Sequence, residues 1–263
     1  MSHQPRKRFG QHFLHDPNVI NGIISAIHPV PGQTMVEIGP GLGAMTCPLL
    51  SKIENLQVVE LDRDVIPILK DNCAGKGELT IHQADALRFD FNQLSELPRS
   101  LRVVGNLPYN ISTPLIFHLL ETADKILDMH FLLQKEVVER LAAKPGGGDY
   151  GRLSVMVQYR CKAENLFHVG RGAFNPPPKV ESAVVRLTPY KTLPHVAKDE
   201  GLFAQIVNQA FSQRRKTLRK ALQKLCSDED FANTGIDSSL RPEHLSVADF
   251  VQLSNQVTMR QDS

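Results

Sequence analysis

Five short apolar runs, at residues 35–38, 58–61, 79–82, 101–104 and 129–133, alternate with stretches patterned as helices. This is the strongest constraint in the chain. Each run has the length of a strand, and the intervals between runs are long enough for a helical crossover, so the alternation reads as βαβ units. Such units build a mostly parallel sheet with helices on both faces, and they bring the carboxyl ends of the strands to one edge. Ahead of the first run, Asp16 and Pro17 open a helix carrying Val19, Ile20, Ile23, Ile24 and Ile27 at helical spacing. Two further runs, 153–159 and 182–187, flank the loop Phe174-Asn-Pro-Pro-Pro-Lys179 and are expected as a hairpin-like last pair. The α/β sheet then has seven strands, one of them antiparallel. After Thr188-Pro-Tyr-Lys-Thr-Leu-Pro194 the strand signal ends and an amphipathic stripe from Phe203 to Leu225 takes over. The expected division is an α/β domain at 1–190 and a small all-helical domain at 191–263.

Hydrophobic residues make up 41% of the 263 positions and charged residues 22%, enough for a sizeable core and too apolar for disorder. No apolar run reaches membrane-spanning length, and no apolar segment follows the basic opening Met1-Ser-His-Gln-Pro-Arg-Lys-Arg8. Cys47, Cys73, Cys161 and Cys226 are scattered, with no C-x-x-C pair and no histidine at ligand spacing. They are expected to be reduced thiols of a cytoplasmic protein without a metal. A net charge of +2 leaves any nucleic acid to be met by local basic patches.

Glu37-Ile-Gly-Pro-Gly-Leu-Gly43 closes the first run and opens a helix. Gly39, Gly41 and Gly43 allow positive φ and leave bare backbone for a ligand. A dinucleotide turn would read G-x-G-x-x-G; here the third glycine arrives one residue early, which disfavours a nicotinamide oxidoreductase. The spacing fits the E-x-G-x-G-x-G turn that cradles S-adenosylmethionine. Glu60, ending the second run, is placed to accept both ribose hydroxyls, with Asp62 and Asp64 as alternatives, and Asp85 to accept the adenine amino group.

Asn106-Leu107-Pro108-Tyr109 follows the fourth run. It fits the tetrapeptide of enzymes that methylate an exocyclic amine on a nucleobase. That nitrogen's lone pair is delocalised into the ring and is a poor nucleophile. Two acceptors gripping its hydrogens favour a pyramidal nitrogen; the Asn106 side-chain oxygen and the Leu107 carbonyl can be those acceptors. Pro108 stiffens the turn, and Tyr109 can stack on an extruded base. Phe174 is either a cover for the opposite face of that base or a core side chain.

Taken together, Arg6-Lys-Arg-Phe-Gly-Gln-His-Phe-Leu14, Val36-Glu-Ile-Gly-Pro-Gly41, Glu60-Leu-Asp-Arg63, Gly105-Asn-Leu-Pro-Tyr-Asn-Ile-Ser112, Leu133-Gln-Lys-Glu136 and Phe174-Asn-Pro-Pro-Pro-Lys-Val180 resemble the KsgA/RsmA family along essentially the whole chain. The family comprises ribosomal RNA small-subunit adenine N6,N6-dimethyltransferases. The resemblance implies a Rossmann-like methyltransferase sheet and S-adenosylmethionine as cofactor. It also implies dimethylation of two adjacent adenosines in the 3′-terminal hairpin of 16S rRNA during small-subunit biogenesis. Carried over by position, the cofactor contacts are His12, Leu14, Gly39, Glu60, Asp85 and Asn106. His12 departs from the pattern, since many members have Asn there.

Phe211-Ser-Gln-Arg-Arg-Lys-Thr-Leu-Arg-Lys-Ala-Leu-Gln-Lys224 carries six basic residues and no acidic one. Lys216, Lys220 and Lys224 are expected on one helical face, opposite Leu218, Leu222 and Leu225. With Arg214, Arg215 and Arg219 they form the candidate contact to RNA phosphates. The protein is expected to be monomeric. An Erm-type 23S rRNA adenine methylase and a non-catalytic RNA-binding assembly factor are the competing readings.

Overall fold

A computed structural model describes residues 12–213 and 215–261. The chain enters through a short strand, β1 (Phe13–Leu14), and helix α1 (Pro17–Ile27). Asp16 caps α1 by accepting from the Asn18 and Val19 N–H groups. There follow β2 (Thr34–Ile38), α2 (Thr46–Ile53), β3 (Asn55–Glu60), α3 (Ile66–Cys73), β4 (Glu78–Gln83), β5 (Leu101–Asn106), α4 (Ser112–Leu120) and β6 (Ile126–Gln134). Next come α5 (Lys135–Ala142), α6 (Arg152–Arg160), β7 (Cys161–Val169), β8 (Phe174–Asn175) and β9 (Ser182–Pro189). Helices α7 (Glu200–Phe211), α8 (Leu218–Leu222), α9 (Asp228–Thr234) and α10 (Val247–Gln261) complete the chain.

The seven-stranded sheet has the order β4-β3-β2-β5-β6-β9-β7. Strands β2 to β6 pair in parallel, and β9 runs antiparallel to β6. The five apolar runs form these five parallel strands because the sheet is covered on both faces. Met35, Val58, Val104, Leu132 and Val184 pack in one core with Ile23, Ile24 and Ile27 of α1 and with Leu49, Leu50 and Leu69 of α2 and α3. The alternating positions Val36, Val59, Val103 and Phe131 are buried as well. The order reverses between β2 and β5, which opens a ligand crevice at their carboxyl ends.

An ion pair between buried Arg102 and partly buried Asp128 ties the opposite end of β5. Arg102, 5% exposed, grips Asp128 of β6 through two hydrogen bonds of 2.9 and 2.8 Å. Its remaining donors go to the Ile27 carbonyl at 2.6 Å and to the Gln33 side chain at 2.9 Å. With these partners the buried guanidinium is compensated.

Three expectations are corrected. Residues 153–159 form most of helix α6, not a strand. Their alternation resembles a strand, but Val155 and Tyr159, four apart, enter a core with Tyr150, Phe203 and Phe250. The Gly151 N–H donates to the Ser154 hydroxyl at the start of that helix. The strand before the proline-rich loop is instead β7, whose largely polar, partly exposed residues suit the edge of the sheet and give little apolar signal. Cys47 and Cys73 are not free thiols: they form a disulfide between α2 and α3, with Cα atoms 5.0 Å apart. Their separation of 26 residues carries no pairing signal; the packing of the two helices brings them together. Cys161 and Cys226 are free and buried.

The chain forms two compact units. One comprises residues 1–138 and 164–189, the other 139–163 and 190–263. The change expected at about residue 190 coincides with one crossing, but 139–163 also belongs to the second unit. That unit is held by Tyr150, Tyr159, Phe203, Ile206, Leu222 and Phe250.

Candidate active site

Strand register alone places most of the candidate residues at one edge. Ile38 pairs with Val59 on one side and with Gly105 on the other, and Glu60 pairs with Gln83. The glycine turn, Glu60, Asp85 and Asn106 therefore leave the carboxyl ends of four successive strands in the sheet.

Gly39, Gly41 and Gly43 have φ of 67°, 54° and 93°. Their uses differ. A side chain begun on Gly39 would meet only the Asn106 carbonyl, at 3.9 Å, so the space over that backbone is open for a ligand. At Gly41 a Cβ would press on the Phe13 ring at 3.1 Å. Gly43 is buried, and its Cβ would lie 3.0 Å from Cys47 Sγ and Leu69 and 3.1 Å from Cys73 Sγ. On the side a Cβ would take, it lets the turn pack on the disulfide.

Glu60 accepts the Asp62 N–H at 2.8 Å and the Gly41 N–H at 3.3 Å, so its carboxylate braces the glycine turn. Burial raises its pKa against the pull of these N–H groups. Of the two alternatives, Asp62 is buried and Asp64 is partly exposed. Asp85, half-buried, holds its own turn by accepting the Leu87 N–H at 3.0 Å. Sequence reasoning quoted Glu37 within the turn but gave it no role. It is 1% exposed, accepts the Thr46 hydroxyl at 2.6 Å, and is pushed by burial to a pKa of about 8. A glutamate inside an apolar strand was the available signal.

Asn106 donates through Nδ2 to the His12 carbonyl at 3.1 Å. A carbonyl only accepts, so this bond fixes the amide and leaves Oδ1 as the group presented beside Leu107. Leu107 itself is buried and its N–H donates to the Leu132 carbonyl at 3.2 Å, which locks the turn. The Pro108 carbonyl accepts the Ile111 N–H at 3.2 Å. Half-buried Tyr109 hydrogen-bonds through its hydroxyl to Ser182 Oγ at 2.9 Å. Ser182, buried on β9, escaped the sequence reading, because a lone serine beyond a proline loop carries no motif.

The segments around residues 12 and 174 are zipped together. β1 pairs antiparallel with β8, Phe13 opposite Asn175 and Leu14 opposite Phe174. Leu14 is 5% and Phe174 2% exposed, and both pack in the core with Ile23, Ile24 and Val184. In this structure the Phe174 ring packs in the core, one of the two roles expected of it. Likewise Leu14 offers a ligand only its backbone. His12 sits beside Asn106 and Tyr109, while Arg6, Lys7 and Arg8 lie outside the described residues.

The basic segment is not one continuous helix. Residues 215–217 are irregular, and α8 spans only Leu218–Leu222. The Leu218 and Arg219 N–H groups donate to the carbonyls of Leu240 and Ser238, and these bonds set a new helix start. Lys216 and Lys224 thus lie outside the helix whose face they were expected to share with Lys220. Arg215, Lys216, Lys220 and Lys224 are exposed, Arg219 is ion-paired with Asp228, and Arg214 lies outside the described residues. Among the described residues there is no group of three potential metal ligands, and no helix is long and apolar enough to cross a membrane.

Residues 2–259 match the family described as "Ribosomal RNA adenine dimethylase". The chain is 62% identical over 255 residues to "Ribosomal RNA small subunit methyltransferase A" of Pseudomonas fluorescens, covering 97% of this chain and 94% of that protein. Its identity to the protein of the same description from Pseudomonas aeruginosa is 60%, covering 97% and 95%. Among solved structures, a dimethyladenosine transferase from Plasmodium falciparum superposes with a TM-score of 0.79 at 26% identity, covering 92% of this chain and 96% of that one. The 23S rRNA methyltransferase ErmE shares the fold, with a TM-score of 0.74 at 22% identity over 94% of this chain and 99% of that one. A glycine turn braced by a buried carboxylate, an asparagine with its oxygen presented, and similarity along nearly the whole chain lead to one conclusion: the protein belongs to the ribosomal RNA adenine dimethylase family.

Proposed function

We propose that the protein methylates adenine N6 in small-subunit ribosomal RNA with S-adenosylmethionine as donor, giving N6,N6-dimethyladenosine at two adjacent positions of the 3′-terminal hairpin of 16S rRNA. The observation that carries the reading is the fixed amide of Asn106, which presents an acceptor next to the Leu107 backbone. When bound, the cofactor supplies an electrophilic methyl group; the chain's own residues do the rest. The open backbone at Gly39 and the carboxylates of Glu60 and Asp85 fit the donor's adenosine half. Asn106 Oδ1 and the Leu107 carbonyl accept the hydrogens of the target amine and turn its lone pair out of the ring plane. Tyr109, anchored by Ser182, stacks on the extruded base. No carboxylate is needed as base: once the nitrogen is alkylated it is acidic, and its proton passes to solvent. Phosphate contacts come from Arg214, Arg215, Lys216, Lys220 and Lys224, with Arg219 shared with Asp228. The curated relatives named for the small subunit support that substrate over the large subunit.

The test is mass spectrometry of small-subunit rRNA from cells with and without the gene, complemented by wild type or Asn106→Ala. Wild type should restore dimethyladenosine. Asn106→Ala should bind S-adenosylmethionine within a small factor yet transfer methyl groups about 10²–10³-fold more slowly, the scale of one lost transition-state hydrogen bond. Near-normal turnover in the variant removes Asn106 from the mechanism.

A further inference from the structure

Methyl transfer as proposed makes no use of the disulfide between Cys47 and Cys73, yet that bond lies against the glycine turn. A Cβ on Gly43 would meet Cys47 Sγ at 3.0 Å and Cys73 Sγ at 3.1 Å, so both sulfurs pack on the third glycine without slack. The helices that carry them hold the same turn. The Cys47 N–H, at the start of α2, donates to the Gly43 carbonyl at 3.0 Å. The side-chain amide of Asn72, beside Cys73 at the end of α3, donates to the Leu42 carbonyl at 2.8 Å. The bond thus closes a ring of contacts around residues 42 and 43, next to the Gly41 N–H that Glu60 accepts. We infer that Cys47 and Cys73 are a redox switch on donor binding: the oxidised pair holds the turn in its binding form, and reduction releases it. This rests on S-adenosylmethionine being the donor that the turn seats.

The chemistry is thiol–disulfide exchange. A low-molecular-weight thiol attacks Cys73 Sγ as its thiolate, forming a mixed disulfide and displacing the Cys47 thiolate. A second such thiol attacks the mixed disulfide and frees Cys73. The protein gains two electrons and two protons, and the two small thiols leave joined as their own disulfide. Position favours this order. Cys73 is 3% exposed, but residues 71–72 and 74–78 around it are exposed, so opening of the last turn of α3 uncovers it. Cys47 departs from the first turn of a helix, where the helix dipole favours a thiolate. Once separate, two thiol sulfurs occupy more room than a bonded pair. Buried Leu69, 3.0 Å from the same Gly43 Cβ position, blocks the core side, so the displacement falls on the glycine turn.

The full-length protein would be equilibrated with oxidised or reduced glutathione and its free thiols counted after denaturation. Calorimetry then reads S-adenosylmethionine affinity, and circular dichroism the fold. The oxidised protein should show two free thiols, Cys161 and Cys226, and the reduced protein all four. Reduction should weaken donor binding about fivefold or more, the usual scale of coupling between sites. Linkage is reciprocal, so saturating donor should raise the midpoint of reduction, expressed as reduced glutathione squared over oxidised, by the same factor. Two double variants, Cys47→Ala/Cys73→Ala and Cys47→Ser/Cys73→Ser, retain Cys161 and Cys226 and should bind donor with one affinity under both conditions. Four results overturn the switch: four free thiols in the oxidised protein, equal or reversed affinities of the two forms, a response that persists in the double variants, or unfolding on reduction, which would make the bond a structural staple. Wild type that binds no S-adenosylmethionine in either form would instead refute the donor.

Discussion

Glu37 gives this protein a pH-dependent stability that a single substitution should remove. The carboxyl sits within β2 at 1% exposure, with the Thr46 hydroxyl as its hydrogen-bond partner, and retains its proton in the folded chain up to a pH of about 8. In the unfolded chain it ionises near its ordinary value of 4.5. Between these limits the folded state binds more protons than the unfolded state, so stability falls as pH rises. Full stabilisation is present below about 4.5 and lost as pH passes about 8. At about 1.4 kcal/mol per unit the whole window amounts to about 5 kcal/mol, of which about 2–3 kcal/mol falls between pH 5 and 7. Glu37→Gln keeps an acceptor for Thr46 and abolishes the titration. Urea unfolding of wild type and variant at pH 5, 6, 7 and 8 reads the effect, because every group that does not interact with Glu37 cancels in the difference; Glu60, whose charge raises the Glu37 pKa, is coupled to it. The variant should gain about 2–3 kcal/mol on wild type between pH 5 and 7. Parallel profiles would refute the assignment of the proton to Glu37.

Glu60→Ala should weaken S-adenosylmethionine binding at least about tenfold by calorimetry, since a charged acceptor for two hydroxyls is removed; unchanged affinity would shift the role to Asp62 or Asp64. Arg102→Ala should lower unfolding free energy by up to about 3 kcal/mol by stranding partly buried Asp128 and the carbonyl that Arg102 holds, yet leave cofactor affinity alone, because the strand separates it from Asn106 by about 13 Å. A fall in both together would mean that the strand's two ends are coupled. Neutralising Lys216, Lys220 and Lys224 together should reduce the salt slope of RNA binding by about 0.7–0.9 for each phosphate these side chains neutralise. An unaltered slope in the folded triple variant would place the RNA elsewhere.

The parallel strands were legible because a sheet covered on both faces needs uninterrupted apolar runs, and 35–38 or 101–104 can be little else. The cofactor turn and the Asn106 tetrapeptide were legible because their chemistry is local, with all parts within a few residues. Strand β7 was hidden by its polar edge position, and α6 by an alternation that only the helical unit's core resolves. The same limit hid the Cys47–Cys73 pair, the Ser182 anchor of Tyr109 and the burial of Phe174, each made by residues far apart in the chain. The basic stretch misled for a related reason. Its leucine spacing is helical throughout, but carbonyls of Ser238 and Leu240 capture the backbone where a continuous helix would have passed.

The β1–β8 pairing has a consequence for the order in which the protein becomes functional. His12 and Pro176 are 164 positions apart, and closing so long a loop in an unfolded chain costs about 4–5 kcal/mol of entropy. A two-residue ladder cannot repay that by itself. The pairing therefore waits until the parallel strands have already drawn residues 12 and 176 close. A nascent chain emerging from its own ribosome can complete the cofactor turn after the first few strands. It cannot assemble the grip on Asn106 until the proline-rich loop has been synthesised and docked. Methyl-transfer competence is then a late event in folding, and donor binding should precede it.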